Sequence, residues 1–216
     1  MSLHINNVTI SMSNGDALLT SFCLQIAKGE IVTLMGASGC GKSTLLNYIA
    51  GHLSDAFQVQ GNLILNNNDI TEVPAHLRQI GMLFQDDLLF PHLLVWENLA
   101  FALPNRIKGK DRHKLALNAL EELQLSALAN AYPHQISGGQ RARISLTRLL
   151  LAQPQLILLD EPFSKLDSGR RAQFRDWVFN QIQQAQIPTL MVTHDKQDIP
   201  NNSRVINWQT ESHYAR

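Results

Sequence analysis

The chain has 216 residues, enough for one substantial domain or a core with an inserted lobe. Lys+Arg and Asp+Glu balance at 18 each, which gives no support to nucleic-acid binding driven by bulk charge. Hydrophobic residues, at 44%, supply ample core, and the two cysteines, Cys23 and Cys40, are too few for a disulfide framework.

The first residues, MSLHINNVTISMSNG, lack the basic segment and apolar stretch of a secretory leader, and no apolar run is long enough to span a bilayer. A protein of a reducing, cytoplasmic compartment is expected, with any membrane association made through a partner. Residues 3–10 and 18–27 read as strands separated by the polar turn SNGD. KGE is a turn, and IVTLMG at 31–36 is a short apolar strand running into a glycine-rich loop. TLLNYIAGHL then reads as a helix with Leu45, Leu46, Ile49 and Leu53 on one face. Further strands are expected over 57–70 and 78–84. From about residue 91 to 151 Leu and Ala dominate with helical periodicity, as in HKLALNALEELQL. Strands return at 156–160 and 187–194 around a helix over roughly 168–185, and Val205–Trp208 closes the pattern. The expected fold is α/β: a P-loop NTPase core with an N-terminal antiparallel β part and an inserted helical subdomain. As one domain over 1–216, it would place the core at 1–90 and 152–216 and the helical subdomain at 91–151.

The loop GASGCGKST matches G-x-x-x-x-G-K-[ST] in full and lies between an apolar strand and a helix, where a phosphate site is built. Gly36, Ala37, Ser38, Gly39, Cys40, Gly41, Lys42, Ser43 and Thr44 are therefore the expected nucleotide contacts. The glycines let successive N–H groups turn inward, Lys42 brings charge to the β- and γ-phosphates, and Ser43 offers a hydroxyl to Mg²⁺. Cys40 is either a reactive thiol, activated by the helix start and the lysine, or a small residue that fills space.

LILLDEP delivers two acids at the end of an apolar strand, the edge where open α/β sheets bind ligands. Asp160 is expected to hold Mg²⁺ through water, and Glu161 to take the proton of the attacking water. PTLMVTHD ends at the same kind of edge with His194 and Asp195; by spacing alone His194 is as readily structural as a donor to the γ-phosphate. Histidine and cysteine do not cluster at metal-ligand spacing. The Asn-Lys-x-Asp pattern of guanine-specific enzymes is absent, which favours ATP.

ISGGQRARISL at 136–146 poses a separate question. A glycine pair at a helix start suits an anion held by backbone N–H groups, yet the phosphate loop lies far upstream. GASGCGKST, Gln85 in MLFQDD, ISGGQRARISL, LILLDEPFSKLD and VTHD together resemble the ATP-binding cassette (ABC) ATPases over almost the whole chain, in order and approximate spacing. FQDDLLFPHLLVWENLAFAL is similar to the equivalent stretch of importer ATPases, and the likeness is to subunits of bacterial importers in the thiamine, sulfate, iron and polyamine group.

The resemblance implies a Mg²⁺-dependent ATPase that pairs head to tail with a second copy or a homologous subunit. Ser137, Gly138, Gly139 and Gln140 would then hold the γ-phosphate of nucleotide bound to the partner's phosphate loop. It further implies a catalytic group of Glu161, His194 and Gln85, with Ser43, Gln85 and Asp160 around the metal and Asp167 coupling the two sites. The partners implied are integral membrane permease subunits and, indirectly, an extracytoplasmic substrate-binding protein, with the chain peripheral on the cytoplasmic face. A soluble ABC-type ATPase of repair or cofactor assembly is the alternative, and a scaffold without turnover is opposed by the retention of Glu161. The family's usual adenine-stacking aromatic is missing from SMSNGDALL, so Met12 or a nearby loop is expected to meet the base. An accessory C-terminal domain, and regulation through it, are not expected.

Overall fold

Apolar strands that end abruptly in polar residues define the part of the fold that matters for function. The computed structural model describes the chain except for Ser38, residues 85–87, Lys165, Asp167, Asn202 and 209–216, and the side chains of Ser168 and Arg170. Its strands are β1 (Leu3–Met12), β2 (Ala17–Ile26), β3 (Ile31–Met35), β4 (Phe57–Leu65), β5 (Asn68–Asp69), β6 (Ile80–Leu83), β7 (Leu156–Asp160), β8 (Thr189–Thr193) and β9 (Arg204–Asn207). Its α-helices are α1 (Lys42–Ala50), α2 (Val95–Ala102), α3 (Gly109–Glu122), α4 (Gly138–Leu151) and α5 (Ser168–Ala185).

Two compact units emerge. One comprises Met1–Met82, Gln155–Glu161 and Phe179–Arg216; the other comprises Leu83–Pro154 and Pro162–Val178. In the first, an antiparallel sheet has the order β2-β1-β4-β5, and a second sheet the order β6-β7-β8-β3-β9. Strands β7, β8, β3 and β9 run parallel, with Leu34 opposite Val192 and Ile206. The central strands β3 and β7 are buried on both faces until their last residues and β8 throughout, as parallel strands covered on both sides must be. One hydrophobic cluster joins Leu3, Ile5 and Ile10 of β1, Leu45, Leu46 and Ile49 of α1, and Leu158 and Leu190 of the parallel sheet.

Local chemistry moves several element ends from their expected positions. The first helix begins at Lys42, because Gly41 takes a left-handed conformation (φ 92°) as its N-cap. It stops at Ala50 instead of running to Leu53: Gly51 is left-handed (φ 81°) and the His52 N–H bonds back to the Asn47 carbonyl. The Arg78 guanidinium then seals this end, donating to the Tyr48 carbonyl at 2.9 Å and the Ile49 carbonyl at 2.8 Å. The expected strand over 57–70 breaks at Asn66 and Asn67, both with positive φ (54° and 66°), which turn the chain from β4 into β5.

In the second unit α2 packs on α3 and α4. Arg112 donates to the carbonyls of Ala100, Leu103 and Pro104, closing the end of α2. Asn98, wholly buried, bonds both backbone groups of Phe90 and the carbonyls of Leu93 and Leu94, and so sets the turn that leads into α2.

Candidate nucleotide site

Strands β3, β7 and β8 lie side by side in parallel register, so their C-terminal ends bring three segments together. Residues Gly36–Gly41 follow β3, Asp160 ends β7 and Glu161 follows it, and His194 follows β8. This is the edge where an open α/β sheet receives ligands.

Within the loop Lys42 is only 5% exposed although it carries a charge. Its ammonium donates to the Gly36 carbonyl at 2.8 Å, the Ala37 carbonyl at 2.6 Å and the Cys40 sulfur at 3.4 Å. These partners are neutral, and a buried cation on neutral groups is electrostatically suited to an anion. Gly39 is left-handed (φ 80°) and a Cβ there would meet nothing within 4 Å, so the loop is open at its crest. The Cys40 thiol donates to the Ala37 carbonyl at 2.8 Å, a tie within the loop. Ser43 is exposed and Thr44 half-buried at the start of α1.

The Ser43 hydroxyl stands beside the Asp160 carboxylate, where the helix start meets the end of β7. Burial pushes the Asp160 carboxyl above its ordinary value, helped by the Glu161 charge; the Ser43 hydroxyl and the Lys42 charge oppose it. A hydroxyl and a destabilised carboxylate held together form an oxygen donor pair suited to a hard divalent cation. Glu161 takes a left-handed conformation (φ 48°), uncommon for a side-chain-bearing residue, and its N–H bonds the Val192 carbonyl at 2.9 Å. The His194 Nδ1 lies 2.8 Å from Glu161 Oε1. A carboxylate only accepts, so the imidazole is the donor. The turn bearing His194 is fixed from beneath: the buried Thr193 hydroxyl donates to Asp198 at 3.1 Å and accepts from the Asp195 N–H at 3.1 Å.

Gly36, Ala37, Gly39, Cys40, Gly41, Lys42, Ser43, Thr44, Asp160, Glu161 and His194 thus all belong to the first unit, around the ends of β3, β7 and β8. Ser38, Gln85 and Asp167 lie outside the described residues. The segment ISGGQ belongs to the second unit, where Ser137 caps α4. Its hydroxyl accepts from the Gln140 N–H at 3.3 Å, and the Gln140 side chain accepts from the Ser137 N–H at 2.8 Å. A Cβ on Gly138 would meet only an Arg141 nitrogen at 3.6 Å, so the chain's own packing does not require glycine there. Glycine at a helix start suits the approach of an outside group. Met12 is 40% exposed at the end of β1.

Three features escaped sequence reading. The Glu161–His194 bond joins residues 33 apart, Asp198 is a buried acid without a local pattern, and Trp208 reaches back to the phosphate loop through its indole N–H and the Cys40 carbonyl. The only advance signal was that the strands ending in Met35, Asp160 and Thr193 are mostly apolar, which predicts neighbours but not contacts.

A model of the ABC transporter family matches residues 19–164. The chain is 47% identical over 205 residues to the Escherichia coli ABC transporter ATP-binding protein YnjD, covering 95% of this chain and 94% of that protein. It is 39% identical over 204 residues to the sulfate/thiosulfate import ATP-binding protein CysA of Pseudomonas aeruginosa, spanning 92% of this chain but 60% of the relative. A dimeric ATP-binding cassette, solved in a post-hydrolysis state with ADP and phosphate, superposes with a TM-score of 0.78 at 31% identity over 91% of this chain and 89% of that one.

Proposed function

The chain belongs to the ABC transporter family, and from that premise we propose that it is a Mg²⁺-dependent ATPase subunit that drives import through a partner membrane permease. The observation that carries this reading is the convergence of a phosphate loop, the Ser43–Asp160 pair and the Glu161–His194 pair at the ends of adjacent parallel strands. The loop N–H groups and Lys42 bind and orient the phosphates of ATP. Ser43 and Asp160, with Gln85, would hold Mg²⁺, which when bound neutralises developing phosphate charge. Glu161 accepts the proton of the attacking water, and His194 fixes the Glu161 carboxylate through Nδ1.

Two subunits pair head to tail, and Ser137, Gly138, Gly139 and Gln140 of one close on the γ-phosphate held by the other's loop. Support comes from the capped start of α4 and from the dimeric cassette to which the chain is similar. ATP stabilises the closed pair, and hydrolysis withdraws part of that stabilisation. A single cassette of core and helical subdomain accounts for the chain. The permease places it at the cytoplasmic face of the membrane; no helix of the described residues is long and apolar enough to cross one. An extracytoplasmic binding protein would deliver the substrate to that permease. Similarity to an import protein of Pseudomonas aeruginosa supports import over the soluble alternative.

The test is co-expression with any multi-helix membrane protein found in a neighbouring reading frame, followed by affinity purification and phosphate release in proteoliposomes. Co-purification and turnover abolished by Lys42→Ala are expected. Robust turnover with no membrane partner retained would overturn the transport reading.

A further inference from the structure

We propose that Trp208 is a positioning residue of the phosphate loop, its indole N–H holding the Cys40 carbonyl and so aiming the Gly41 N–H at bound phosphate. The proposal rests on the reading of that loop as a nucleotide site, and it concerns how the loop keeps its shape.

Strand β9 pairs in parallel with β3, with Asn207 opposite Met35. The next residue of each strand is therefore Trp208 on one side and Gly36, the first residue of the loop, on the other. Trp208 is 2% exposed and its ring centroid lies 5.5 Å from that of Phe22, at an interplanar angle of 54°. A Cβ on Gly36 would stand 3.0 Å from the Trp208 Cβ, so the indole and the loop are in close contact. From this seat the indole N–H donates to the Cys40 carbonyl, across 168 residues of sequence.

The consequence is geometric. In a planar trans peptide the carbonyl and the following N–H point in opposite directions. Anchoring the Cys40 oxygen therefore fixes the direction of the Gly41 N–H, away from the indole. Gly41 is the left-handed N-cap of α1 (φ 92°), where the backbone is otherwise most free to rotate. Leu18 packs against the same glycine, since a Cβ there would fall 2.9 Å from its Cγ. Packing alone leaves the peptide free to turn about its flanking dihedrals; the indole bond sets its orientation. A phenylalanine at 208 fills most of the same volume but donates nothing, which separates this role from that of a core filler.

The test compares Trp208→Phe with the parent by calorimetric titration of MgADP, at a temperature where thermal melts show both folded. The dissociation constant is expected to rise about 3- to 10-fold, the range for one lost hydrogen bond. Phe22→Leu, which disturbs the packing of the indole and leaves its donor in place, is expected to lower the melting temperature while the dissociation constant stays within about twofold. The spectroscopic arm uses the full chain labelled with 5-fluorotryptophan, which gives one ¹⁹F resonance for each of the three tryptophans. The Trp208 resonance should shift on adding MgADP and not on adding Mg²⁺ alone. If Trp208→Phe does not fold, Trp96→Phe and Trp177→Phe assign that resonance by elimination and the shift decides. A parent that binds MgADP, with the variant within twofold of it or the resonance unmoved, overturns this proposal and leaves the nucleotide reading intact. A parent that binds no nucleotide overturns both.

Discussion

His194 Nδ1 and Glu161 Oε1 are 2.8 Å apart, a bond that ties the residue after β7 to the residue after β8. It gives the left-handed Glu161 a fixed side-chain direction. Glu161→Gln keeps an oxygen that accepts from the imidazole but removes the proposed base. ATP binding should survive, an ATP-bound dimer should accumulate on gel filtration, and phosphate release should fall at least about 10²-fold. Because the two residues act as a unit, adding His194→Ala should cost little beyond the single change. Turnover of Glu161→Gln within a few-fold of the parent would remove Glu161 from the chemistry.

Asp160 offers a pH-dependent test. Burial holds its folded-state value above the ordinary 3.8, so the folded protein binds more protons than the unfolded chain in the window above 3.8. Stability from this group is therefore greatest in acid and is lost as pH rises through that window. Asp160→Asn escapes the loss. In nucleotide-free, Mg²⁺-free buffer the asparagine variant should melt higher than the parent at neutral pH, by about 2–4 °C for each kcal/mol recovered. The gap should close as pH falls to 3.8. A parent that melts as high as the variant at neutral pH would mean that Asp160 is not strained by burial.

The proposed permease contact is narrowed by exposure. Of the apolar residues from Leu88 to Phe101, Leu88 is 55% and Phe101 65% exposed, while Val95 and Leu99 are fully buried. Phe101 meets the Phe90 ring edge-on at 4.8 Å, and Arg148 lies 5.2 Å over the same ring and bonds the Leu88 carbonyl. This exposed apolar pair on a braced turn suits docking. Leu88→Asp and Phe101→Asp should each weaken co-purification with the permease at least about tenfold, while ADP binding and the thermal melt stay near the parent's. Full retention of the complex by the double variant would move the contact elsewhere.

Arg78 is 7% exposed and donates four bonds, to the carbonyls of Val73, Tyr48, Ile49 and Thr71. Arg78→Met fills the space but leaves these acceptors, two at the end of α1 and two in the segment after β5, without the guanidinium. A loss of about 3 kcal/mol is expected, or roughly 6–12 °C in melting temperature. Arg78→Lys should recover less than half, since an ammonium cannot reproduce the planar fork. A drop below about 2 °C in the Met variant would show that water or neighbouring donors replace the guanidinium.

Short-range patterns in the sequence alone were enough to single out the glycine-rich loop after β3, the acids at the end of β7, the start of α4 and the alternation of strand and helix. Each depends on residues a few positions apart: GASGCGKST needs glycine freedom at fixed offsets, and LILLD needs only burial followed by charge. The helix ends at Gly41 and Gly51 were equally local, once the left-handed conformation is allowed for. Tertiary structure alone decided which strand ends meet, and with them the Glu161–His194 bond, the Arg78 seal on α1 and the Trp208 hold on Cys40. These bonds span 33, 29–30 and 168 residues. Their partners share no periodicity, because a side-chain donor reaches a distant acceptor through sheet order and register, which arise from packing the whole core.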